Sequence, residues 1–134
     1  MSAANGENRF VFVAPMYNAS DTLARMLHSL YGQSYANWKL VLIDDVSDHR
    51  HQEKCDSIIQ KFRMIDDSKV ESHWNSLNGR GKRWEVSNVL FGISRCEDND
   101  IVCRIDADDW LTDLDALSII NYAYNKSGCE ILWT

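Results

Sequence analysis

Continuous apolar runs that end in polar or acidic residues alternate along this chain with amphipathic stretches. Phe10-Val11-Phe12-Val13-Ala14, closed by Pro15, leaves no position to face water, the pattern of a strand covered on both faces. Trp38 to Ile43, ending in Asp44-Asp45, makes a further strand, as does the run from Asp100 to Ile105. A weaker strand covers Lys69 to Trp74, and Glu130 to Trp133 supplies a last one. Between them, Leu23, Met26, Leu27 and Leu30 form one helical stripe, with Ser20 as its cap and Gly32 as its stop. Ile58, Ile59 and Phe62 mark a second helix that starts among His49, Arg50 and His51. Trp84, Val89, Leu90 and Ile93 mark a third, and residues from about Thr112 to Asn125 a fourth. The order βαβαβαβαβ predicts an α/β fold, a mostly parallel sheet with helices on both faces.

With 134 residues, 45% of them hydrophobic, the chain suits a single domain with one sizeable core. No apolar run approaches the ~20 residues of a membrane span. A net charge of −6 argues against a nucleic-acid partner read through a basic face. Residues 1–8 are small and polar, without the apolar core of a signal peptide, and read as a disordered tail before a domain at 9–134. Cys55, Cys96, Cys103 and Cys129 show no CxxC spacing, which points to reduced thiols and a cytoplasmic location.

In a parallel sheet, ligands bind beyond the carboxyl ends of the strands. That rule singles out Pro15-Met16-Tyr17-Asn18, Asp44-Asp45 and Asp106-Ala107-Asp108-Asp109. Two carboxylates ~4 Å apart repel by about 4 kcal/mol at an effective dielectric of ~20, and Arg104 is the only cation close to the last cluster in sequence. Asp113 and Asp115 fall where a helix start favours acid; Asp106 and Asp108 do not. Oxygen ligands select a hard ion, Mg²⁺ or Mn²⁺. A calcium loop is excluded, because Leu111 and Leu117 stand where it needs Gly and Glu. Other readings stand beside these: Tyr17 as a strand-end core aromatic, Asp45 and Asp48 as turn formers, the acidic cluster as surface turn residues. The histidines show no ligand spacing, and His49 and His51 read as exposed.

Residues 11–18 (VFVAPMYN), 43–48 (IDDVSD) and 105–109 (IDADD) together resemble the ordered signatures of family 2 glycosyltransferases. The resemblance reaches from Phe10 onward. It implies a GT-A, Rossmann-like fold and an inverting transferase with a nucleotide-sugar donor, commonly a UDP-sugar, and a divalent metal at a DxD motif. On that pattern Pro15 and Tyr17 border the nucleobase, Asp45 accepts the uracil N–H, Asp106 faces the ribose or the metal, and Asp108 faces the metal. Arg80-Gly81-Lys82-Arg83 precedes the third helix, where the family carries Gly, small residues and an Arg-Asn pair. Asn88 matches the Asn, Ser87 replaces the Arg, and Lys82 or Arg83 supplies the cation for base or diphosphate unless the stretch is ordinary surface charge.

Two departures matter. Val46 replaces a glycine usual after the aspartate pair, so this turn is expected to differ locally. Family members also continue into a second half that binds the acceptor, a glycan, lipid or protein, and supplies the catalytic base; no residue here takes that role. A homo-oligomer or partner chain is one way to complete such a site. The reading is therefore a metal-dependent glycosyltransferase, with or without slow hydrolysis of the donor, or alternatively a non-catalytic metal-dependent UDP-sugar binding module. A phospho-receiver-like domain fits poorly, since it needs an acidic pair where Pro15-Met16-Tyr17 stands.

Overall fold

The computed structural model describes residues 7–75 and 84–128. The expected strand at 130–133 and the basic stretch with Lys82 and Arg83 lie outside the described residues. Strands β1 (Phe10–Met16), β2 (Trp38–Asp44), β3 (Val70–Trp74) and β4 (Ile101–Arg104) alternate with helices α1 (Leu23–Tyr31), α2 (His49–Arg63), α3 (Trp84–Ser94) and α4 (Ala116–Ser127). All strand pairs are parallel, and the sheet order is β3-β2-β1-β4.

The apolar runs of β1 and β2 are covered on both faces as the sequence predicts, whereas β4 is only half covered, with Val102 43% exposed and Ile101 and Cys103 half-buried. Phe10, Phe12, Ala14 and Met16 of β1, with Leu40 and Leu42 of β2, face a core shared with Leu23, Met26, Leu27 and Leu30 of α1, Cys55, Ile59 and Phe62 of α2 and Leu117 of α4. Val11, Val13, Val41 and Ile43 point to the opposite face, where α3 packs. There Gly92 lies so close to Val13 that an added Cβ would sit 2.2 Å from Val13 Cγ1. The chain thus steps from β1 to β3 with helices on one face, then crosses back over the other to place β4 beside β1, as right-handed crossovers require.

Several expectations are corrected. Ser20 does not cap α1; Thr22 occupies that position, and Ser20 Oγ instead bonds His51 Nδ1 at 2.7 Å. His51 is therefore half-buried rather than exposed. α4 begins at Ala116, because the Asp115 N–H is turned onto Asp113 Oδ1 at 2.8 Å. In α3, Leu90 and Ile93 stand 60% and 42% exposed rather than in the core, and the contact with the sheet runs through Gly92. Asn8, assigned to the tail, is only 3% exposed; its N–H and Nδ2 donate to Asn121 Oδ1 at 3.0 and 2.7 Å. Among the described residues no helix is long and apolar enough to cross a membrane.

Candidate functional site

β1 and β4 are parallel neighbours far apart in the chain, so the loops that follow them meet at the carboxyl edge of the sheet, where ligands bind in such folds. A cleft of about 490 Å³ lies there, lined by Pro15, Tyr17, Asn18, Asp21, Asp106 and Asp108 among others. Four of the predicted residues, Pro15, Tyr17, Asp106 and Asp108, thus meet across 90 residues of sequence. Tyr17 is 52% exposed, which removes its alternative as a core aromatic. Asp45 sits beside this cleft on the loop after β2, its N–H donating to Met16 O at 2.8 Å.

Alternation explains the acidic spacing. Ala107 is buried in the core at 5% exposure, so its neighbours Asp106 and Asp108 turn outward together. The Asp109 N–H closes the turn on Asp106 O at 2.9 Å. One carboxylate oxygen from each of Asp106, Asp108 and Asp109 lies within 4.8 Å of the others. Arg104 Nη2 is 3.3 Å from Asp106 Oδ1, with both side chains nearly half exposed, so water screens this pair strongly. Three convergent oxygen ligands at a cleft fit a hard divalent cation.

The aspartate pair divides its labour in a way the sequence does not announce. Asp44 is wholly buried and ties the turn: its carboxylate accepts from Ser47 N–H at 3.0 Å, from the Ser47 hydroxyl, and from Gln52 Nε2 at 3.2 Å. The Asp48 carboxylate makes no cap bond to α2, although the Asp48 carbonyl accepts from the His51 and Gln52 N–H groups. The Asp48 N–H donates to Asn18 Oδ1 at 2.8 Å, and Asn18 Nδ2 returns a bond to Asp48 Oδ2 at 3.2 Å. The spacing of Asp44 and Ser47 is the local signal that could have revealed the turn. Val46 corrects an expectation. It does not steer the turn away from the left-handed region but adopts it, at φ 56°, as Asn18 does at φ 50°. Asn75 joins this end of the sheet, its N–H bonding Asp44 O at 3.0 Å and its Nδ2 donating to the buried Asn88 Oδ1 at 2.8 Å.

The family model of glycosyl transferase family 2 matches residues 11–131. The amylovoran biosynthesis glycosyltransferase AmsB of Erwinia amylovora is 32% identical over 102 residues, which is 75% of this chain and 31% of that protein. The crystal structure of S. aureus TarS 1-349 superposes with a TM-score of 0.72 at 19% identity, over 90% of this chain and 33% of that one. The same TarS portion has been solved with UDP and with UDP-GlcNAc. The mannosyltransferase PcManGT from Pyrobaculum calidifontis, in complex with GDP-Man and Mn²⁺, gives 0.67 at 20% identity over 92% of this chain and 34% of that one. The chain spans about a third of AmsB and of each of these solved chains, the TarS one being itself residues 1–349 only. The likeness of fold identifies the parallel sheet and its helices as a GT-A arrangement. With its acidic turn at the carboxyl edge of the sheet and the family model matched over nearly all its length, the chain belongs to glycosyl transferase family 2.

Proposed function

We propose that the chain is the donor-binding part of a metal-dependent, inverting glycosyltransferase that moves a sugar from a UDP-sugar to a glycan, lipid or protein acceptor. The meeting of Tyr17, Asp106 and Asp108 in one cleft carries this reading. The Tyr17 ring and the backbone at Pro15 border the nucleobase, and stacking there contributes about 1–3 kcal/mol. Asp45 accepts the uracil N–H, a charge-assisted bond of roughly 1.5–3 kcal/mol. Asp106 faces the ribose or the cation through water, and Asp108 faces the cation. Lys82 and Arg83 supply positive charge to base or diphosphate. Mn²⁺ or Mg²⁺, when bound by these aspartates, supplies charge neutralisation at the diphosphate. In the transfer, an acceptor oxygen bonds the anomeric carbon as the bond from that carbon to the diphosphate oxygen breaks. The electron pair leaves with UDP, and the acceptor proton passes to a base that we assign to no residue of this chain.

The TarS complexes support a UDP donor and the PcManGT complex supports the cation. Guanine also presents N–H donors, so GDP is the competing probe. UDP at 100 times its Kd stabilises the chain against heat by about 2.7 kcal/mol when Mn²⁺ is present. Asp108→Asn removes the metal-dependent part, and GDP stabilises less. Released UDP is then measured with UDP-glucose and UDP-galactose; stabilisation without release identifies a binding module, and the absence of both effects overturns the reading. A cytoplasmic setting, where thiols stay reduced, belongs to the same proposal.

A further inference from the structure

The acidic turn is held from outside by α1. Arg25 and Ser29, four residues apart, share one face of that helix, and Gln33 follows just past its Gly32 cap. Arg25 Nη2 donates to the main-chain carbonyl of Asp108 at 3.0 Å. Ser29 Oγ accepts from Leu111 N–H at 3.0 Å. Gln33 Nε2 donates to Asp113 O at 2.8 Å and its Oε1 accepts from Leu117 N–H at 3.1 Å. Three side chains thus bond successive main-chain groups of the segment leading from the acidic turn into α4.

The first of these contacts sits at the carboxylates themselves. The Arg25 guanidinium carbon also lies 3.8 Å from the ring centroid of Trp110. One planar cation therefore engages the carbonyl of Asp108 and the ring two residues later, bracketing Asp109. It binds the main chain of Asp108 rather than the carboxylate, which lines the cleft.

We propose that Arg25, clamped on Trp110, is a positioning residue that fixes the Asp108-Asp109 turn so that its carboxylates converge before a cation arrives. This rests on the reading of Asp106 and Asp108 as the cation site. The sign of its effect separates it from a bare charge. A guanidinium acting only through its charge repels a cation, so its removal would tighten metal binding. A guanidinium that shapes the turn makes the opposite prediction: its removal loosens binding. Lysine reaches the carbonyl but cannot stack as a planar group, so it restores only part of the effect.

The test is a titration of the full chain with Mn²⁺, alone and with UDP, read from the electron paramagnetic resonance signal of free Mn²⁺. Arg25→Gln is expected to weaken Mn²⁺ binding about tenfold, the loss of one charge-assisted hydrogen bond, and Arg25→Lys to fall between it and the parent. Trp110→Ala keeps the charge but takes away its platform, and weakens binding in the same direction; it also carries the test if Arg25→Gln does not fold. Unchanged or tighter binding in these variants overturns the proposal while leaving the cation site standing. Failure of the parent chain to bind Mn²⁺ with UDP overturns the site, and this proposal with it.

Discussion

The main-chain N–H of Asn18 donates to Ser47 Oγ at 2.8 Å, and this bond joins the loop after β1 to the loop after β2. The same hydroxyl donates onward to the carboxylate of Asp44, which has no exposed surface. Tyr17 and Asp45, the residues proposed to hold the nucleobase, stand one position before and one after the ends of this relay. Their spacing is set by this relay together with the bond from the Asp45 N–H to Met16 O.

Ser47→Ala takes away that hydroxyl while keeping the backbone. The Asn18 N–H and one oxygen of a buried carboxylate then each lose a partner, and an unsatisfied buried polar group costs about 1–3 kcal/mol. Chemical denaturation is expected to show a loss of about 2–3 kcal/mol. A loss under about 0.5 kcal/mol would mean that water replaces the hydroxyl without penalty.

Val46 supplies a test in the other direction. At φ 56° a β-branched residue occupies the left-handed region, where an L-residue is disfavoured by roughly 1–2 kcal/mol. Glycine removes that strain at an entropic cost of about 0.5–1 kcal/mol. Val46→Gly is expected to leave the stability unchanged or raise it by up to about 1 kcal/mol, measured by the urea midpoint. An ordinary Val→Gly replacement destabilises; a loss of that kind here would show that Val46 side-chain packing outweighs the strain.

The sequence discloses what repeats locally and conceals what depends on distant partners. β1 and β2 are legible because burial on both faces leaves their runs unbroken, and the α1 stripe because Leu23, Met26, Leu27 and Leu30 all face one core. The start of α1 is not, since the Ser20 hydroxyl that looks like a cap is taken by His51 from α2. Asn8 looks like tail until Asn121 reaches it from the other end of the chain. In the site, Asp106 and Asp108 are legible as an acidic cluster directly after an apolar strand, and the structure adds that the buried Ala107 between them turns both outward. The different fates of Asp44 and Asp45 are not, because adjacent carboxylates are alike until a fold buries one. Arg25 is hidden for the same reason: its partner Asp108 lies 83 positions away.

Gly92 tests the packing of α3 on the sheet. A Cβ there would stand 2.2 Å from Val13 Cγ1 and 3.0 Å from Cγ2, and Val13 is fully buried. Alanine favours the helix by about 0.5–1 kcal/mol, but overpacking costs typically 1–3 kcal/mol. Gly92→Ala is expected to lower stability by about 1–2 kcal/mol. Adding Val13→Ala opens the space the new methyl needs, so the double variant is expected to lose less than the sum of the two single losses. Strict additivity in this cycle would show that the two positions do not compete for volume.

On the α3 face of the sheet, Glu71 gathers three basic groups: Lys39 Nζ at 2.8 Å, Arg95 Nε at 2.7 Å and His73 Nε2. Burial pushes the carboxyl pKa up, but the hydrogen bonds from Arg95, Lys39 and His73 outweigh it and hold the value at about 2, down from 4.5. The folded state thus releases this proton more readily than the unfolded chain. Above the unfolded value both states carry the charge, and the cluster contributes its full stability. As pH falls from about 4.5 toward about 2, the unfolded chain takes up the proton first and that contribution is lost. Glu71→Gln, which does not titrate, is expected to be less stable than the parent near neutral pH, with the gap closing across that acid range. Urea midpoints are the suitable measure, since a denaturant salt would screen the cluster. A gap that stays constant down to about pH 2 would show that these hydrogen bonds do not hold the Glu71 carboxylate ionised in the folded chain.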